Sequence, residues 1–141
     1  MASTDESSER VFAGLQALKN AWPMTGWSWD SRLSSVASSF ATHHIEAARA
    51  AIAPALPTIW TRDTIGSAPE RVRALADRYD GVRKGQMLVT SSDLEGLLAF
   101  GLWWPWEEST TISFRVGLAE VDPSQKHYAR LFAIFGVSTA R

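Results

Sequence analysis

Along residues 110–121 apolar and polar side chains alternate: Ile112, Phe114, Val116 and Leu118 against Thr111, Ser113, Arg115 and Gly117. Successive side chains of a strand point to opposite faces, so this segment buries its apolar set as a strand with one dry and one wet face. A wet face on a strand predicts an antiparallel sheet. The period of two begins near Gln86. It predicts strands over residues 87–91, 97–104, 110–121 and 128–137, the last apolar on both faces and therefore central or doubly covered. The connections 105–109 and 122–126 have hairpin length.

Before Gln86 the spacing is helical. A first helix is predicted over residues 5–20, with Ser3 and Glu6 at capping-box spacing and Val11, Leu15, Leu18 and Trp22 as its apolar stripe. A second is predicted from residue 30 or 31 to 52, capped by Asp30, with Leu33, Ala37, Phe40, His44, Ala48 and Ala51 facing inward and Pro54 and Pro57 ending it. A short extended piece over 58–64 precedes a third helix. Ser67 and Glu70 bracket Pro69 as a capping box, Val72, Leu75, Ala76 and Tyr79 form the buried stripe, and Gly81 stops it. The fold class predicted is α+β: three N-terminal helices on one face of a C-terminal, four- to five-stranded antiparallel sheet, with residues 1–141 as a single domain.

Composition narrows the function classes. The absence of cysteine among 141 residues removes disulfide scaffolds, thiolate zinc sites and thiol nucleophiles. A net charge of −1 provides no field that would draw the chain onto nucleic acid or an anionic membrane. The acidic, polar N-terminus does not read as a secretory signal, which predicts a cytoplasmic protein.

Two tryptophan clusters lie at predicted loops: Trp22, Trp27 and Trp29, and Trp103, Trp104 and Trp106. Indoles at loops either fold back as lids on the core or serve as binding anchors, because one rigid side chain buries a large area and keeps a donor. Trp103 and Trp104 point to opposite faces of a strand, so at least one of them can be core. Glu107 and Glu108 follow the second cluster and would steer a basic partner. The site predicted is therefore a partner-binding one: Trp103, Trp104, Trp106, Glu107 and Glu108, with Trp27 and Trp29. His43 and His44 have Ala47 and Ala48 at i+4 rather than a second ligand, so neither a metal site nor a cofactor is expected. His44, on the apolar side of the second helix, reads as a core histidine, and His127 as a solvated turn residue. The basic run from Arg62 to Lys84 is interleaved with acids and reads as a solvated face with internal ion pairs. Asp93 and Glu95 read as loop acids.

In size and organisation the chain resembles the small immunity proteins of bacterial polymorphic-toxin systems. The resemblance lies in the general layout and carries over no residues. It implies a bacterial, non-catalytic protein-binding module that caps and inhibits a cognate toxin, with a basic toxin domain as partner. Two other classes compete. One is an NTF2-like small-ligand-binding or acid–base enzyme domain, in which helices also precede a curved sheet. The other is a structural or assembly subunit, suggested by a doubly apolar strand at 128–137 that could pair across an interface. The binding module is the preferred expectation over an enzyme, with the oligomeric state open.

Overall fold

A computed structural model describes residues 4–24, 26–106 and 110–137. It is an α+β fold with four α-helices and a six-stranded, wholly antiparallel sheet among those residues. In chain order the elements are α1 (Thr4–Ala21), β1 (Ser28–Asp30), β2 (Ser35–Ala41), α2 (Ile45–Ile52), β3 (Thr58–Trp60), α3 (Glu70–Arg78), β4 (Met87–Thr90), β5 (Ala99–Pro105), β6 (Thr111–Leu118) and α4 (Lys126–Phe135). The strand order is β1-β2-β6-β5-β4-β3. None of these helices is long and apolar enough to cross a membrane.

The alternation in β6 sorts the core into two layers. Ile112, Phe114, Val116 and Leu118 face α1, α2 and α4, joined by Val36 and Phe40 from β2, Trp103 from β5, and Leu15, Leu18, Ile52, Leu131 and Phe135 from the helices. On the other face α3 lays Val72, Leu75, Ala76 and Tyr79 over Leu88 of β4, Phe100 and Leu102 of β5 and Leu98 just before it. The helices thus sit on both faces, not on one as the sequence predicts. Gly101 is a close-approach position: a Cβ there would lie 2.5 Å from Cζ of Phe114 and 2.8 Å from Cγ2 of Val89. The missing side chain lets the Phe114 ring lie across the sheet.

Two predicted elements are different in kind. The first part of the predicted second helix, from residue 30 or 31 to 41, lies in the hairpin β1–β2, and only Ile45–Ile52 is α-helical. Val36, Ser38 and Phe40 all face the three-helix layer: Val36 and Phe40 join its core, and Ser38 accepts from Nε1 of Trp22 at 3.0 Å. Ser and Val are indifferent helix formers, and pairing with β6 satisfies the backbone of this segment along its length. The turn is fastened by Asp30, which accepts from the Arg32 N–H at 3.1 Å, and Ser34 takes φ 48°.

The predicted last strand is α4. Tyr128, Leu131 and Phe135 recur at i, i+3 and i+7 and are buried, with Phe132 packed beside them. Gly136 ends the helix at φ 65°, and the Val137 N–H reaches the Phe132 carbonyl at 2.9 Å, the closing bond of a Schellman motif. The strand that suggested an assembly interface is therefore a core helix. At α3 the expected capping box is absent. Pro69 occupies the N-cap position without a side-chain cap, and Ser67 donates to the Thr64 carbonyl at 2.9 Å. The stripe and the stop at Gly81 are as predicted.

Candidate functional site

Because α3 covers β4 and β5, the same face of β1, β2 and β6 is left without a helix over it. The side chains there are small and polar. Register places Ser39 beside Ser113 and Ser113 beside Trp104, and in the next row Ser28, Ala37 and Arg115. A cleft of about 670 Å³ runs over this half-face, lined among others by Ser28, Asp30, Arg32, Ser39, Ser113 and Arg115.

Arg115 is the centre of this surface. Its Nη1 donates to Oδ2 of Asp30 at 2.7 Å, and the two side chains are 18% and 15% exposed. Its guanidinium lies 5.5 Å from the Trp104 ring centroid, within cation–π range. Its Nε is enclosed and has no hydrogen-bond partner among the described residues. Burial works to raise the Asp30 carboxyl, but the charges of Arg115 and Arg32 and the Arg32 N–H outweigh it and hold the group below its ordinary 3.8. The result is a fixed, charged, planar donor flanked by an indole and hydroxyls.

The tryptophans divide by strand geometry. Trp103 is buried in the three-helix layer, against Phe40 and Phe114. Trp104 points the other way and is half-buried beside Arg115. The Trp106 N–H bonds the Thr111 carbonyl at 2.9 Å, so the ladder continues past β5, and Trp106 stands 50% exposed at its end. Glu107 and Glu108 lie outside the described residues. Trp27 packs on Phe135 and Trp22 at 4.5 and 5.1 Å between ring centroids, and Trp29 on Phe132 and Tyr128 at 4.8 and 5.8 Å. These two half-buried rings close the edge of the three-helix layer, away from Trp104 and Trp106. The predicted site residues are thus not brought together: Trp104 borders the uncovered half-face, packed between the α3 layer and Arg115, and Trp106 is exposed past the end of β5, whereas Trp103, Trp27 and Trp29 belong to the opposite side.

The remaining polar candidates have packing roles or stand apart. The rings of His43 and His44 lie 4.1 Å apart and tilted in a 3₁₀ turn before α2, with His43 exposed and His44 half-buried, so His44 is not a core histidine. His127 lies in α4, 5.7 Å from the Phe12 ring, rather than in a turn. No group of three or more His, Asp or Glu among the described residues is arranged to hold a metal ion. Arg71 is a cross-tie instead of an intrahelical partner: it pairs with Glu120 at 2.8 Å and donates to the carbonyls of Leu94 and Gly96. Asp93 accepts from Ser7, Glu95 and Gly96 and so pins the β4–β5 connection to α1.

Sequence reasoning missed Arg115 and Asp30 as site residues. The signal for Arg115 was its position in the middle of the polar face of β6. Asp30 carried none, because its role depends on β1 lying one strand from β6, 85 residues away. No family model matches this sequence, and neither the curated proteins nor the solved structures contain a match to it.

Proposed function

We propose that this chain is a non-catalytic protein-binding module whose partner docks on the uncovered half-face of the sheet, of the kind that caps another protein as immunity proteins cap a toxin. The observation that carries this reading is a polar half-face that no helix covers, centred on an immobilised Arg115, bordered by Trp104 where the α3 layer ends and followed by the exposed Trp106 just past β5. Trp and Arg are the side chains that most often dominate binding energy, and here both are held by the sheet and lose little entropy on docking. The small side chains of Ala37, Ser39 and Ser113 let a partner approach the strands closely. Glu107 and Glu108 follow Trp106 in sequence and favour a basic partner.

Site-specific photo-crosslinking in cells tests this. A photoreactive residue replaces Trp106 or Ser39 in one set of variants and the exposed Gln16 of α1 in another. A discrete protein adduct from positions 106 and 39, absent from position 16, supports the reading. The captured partner should then bind Trp106→Ala about 30-fold more weakly, with an unchanged melting temperature. Adducts of the same protein from position 16, or none from the half-face, would reject it.

A further inference from the structure

On the opposite face the helices do not reach the sheet's far edge. Between α2 and β3–β4 lies a groove of about 290 Å³. Its walls are apolar: Ile52, Leu56, Val89 and Trp103 are buried, and Ile59 is 44% exposed. Arg49 is the one charged residue among the ten that line it. Arg49 is exposed on α2 and has no carboxylate within salt-bridge distance among the described residues. Trp103 also lines the groove and is 5% exposed.

We infer that this groove is a binding site for a small apolar monocarboxylate. The hydrocarbon body displaces water from Ile52, Leu56, Val89 and the face of Trp103. The carboxylate meets Arg49 in the charge-assisted geometry that guanidinium favours. The volume suits about ten non-hydrogen atoms, at roughly 30 Å³ for each water-sized group. A neutral alkane would leave Arg49 unused, and an amine would meet its charge. The site is independent of the half-face where the partner docks.

Octanoate is the probe, followed by NMR through the Trp103 indole Nε–H resonance, assigned with Trp103→Phe. The expected result is saturable binding with Kd on the order of 0.1–1 mM for a ligand of this size. Arg49→Gln, an exposed change, should weaken it about tenfold, and octylamine should not compete. The assignment is overturned by the absence of saturation at tenfold above that range. Equal binding to Arg49→Gln, or by octylamine, also overturns it. So does concentration-dependent self-association abolished by Ile59→Ser, which would give the groove to a second copy of the chain.

Discussion

Replacing Tyr128 with phenylalanine removes one oxygen from the junction of three elements. The Tyr128 side chain is 1% exposed, and its hydroxyl lies 2.7 Å from the Ser34 carbonyl, accepts from the Leu118 N–H at 3.0 Å and stands 3.2 Å from the Leu118 carbonyl. It thus ties α4 to the end of β6 and to the β1–β2 turn. A buried polar group left without its partner costs about 1–3 kcal/mol. Leu118 is 1% exposed and its N–H bears the full cost, whereas half-buried Ser34 is within reach of water. The sum is about 2–3 kcal/mol. At roughly 3–4 °C per kcal/mol for a chain of this length, the melting temperature should fall by about 6–12 °C. The pH dependence is a second test. Burial, opposed by the Leu118 N–H, pushes the Tyr128 hydroxyl from 10.0 up to about 12. Between those values the folded protein holds a proton that the unfolded chain has lost, so stability is full below pH 10 and declines as pH rises toward 12. The wild type should lose up to about 1.4 kcal/mol per pH unit there, and the variant lacks this contribution. Tyr79, also raised by burial, remains in both and cancels in the comparison. Thermal melts at pH 7 measure the first effect, and urea titrations followed by tryptophan fluorescence between pH 7 and pH 11 measure the second. A melting temperature lowered by less than about 2 °C, or equal alkaline slopes, would refute the reasoning.

Two further outcomes follow from the packing and the charges. Gly101→Ala should destabilise by about 1–3 kcal/mol or more, since its Cβ has nowhere to go between the Phe114 ring and Val89; chemical denaturation at neutral pH measures this, and a neutral or stabilising result would contradict the close approach. Asp93 is held below its ordinary 3.8 first by the Ser7 hydroxyl and then by the N–H groups of Glu95 and Gly96. Its contribution is therefore present at neutral pH and lost as pH falls through the range below 4, so Asp93→Ala should flatten the acid limb of the melting-temperature profile, and an unchanged limb would contradict this.

What could be read from the sequence depended on whether a segment's period was dictated by its own residues. In β6 four apolar residues alternate cleanly, so strand and buried face were both legible, and α3 was equally so from Val72, Leu75, Ala76 and Tyr79. Segment 35–41 was not, because Ala and Ser contribute little apolar signal at any period. Val36 and Phe40, four apart, match a helix as well as a strand, and only pairing with β6 decides between them. Segment 128–137 failed for the opposite reason: Tyr128, Leu131, Phe132, Ile134 and Phe135 are too densely apolar for alternation to discriminate, and the decisive signal was Gly136 at its end. For the site, the exposed position of Trp106 followed from its place beyond a proline at a strand end. The separation of Trp104 from Trp27 and Trp29 did not, because it required knowing that residues 28–41 form the sheet's other edge.

On the proposed function, the partner docks on the uncovered half-face that Trp104 and Trp106 border. The most direct measurement is a titration of the ¹⁵N-labelled chain with its crosslinked partner, read at the seven tryptophan indole N–H resonances. Trp104 and Trp106 should shift or broaden together. Trp22 and Trp60, whose indoles are bonded to Ser38 and Thr90, and the buried Trp103 should stay in place. Perturbation of Trp27 and Trp29 with Trp104 and Trp106 unmoved would contradict the claim and transfer the interface to the edge of the three-helix layer.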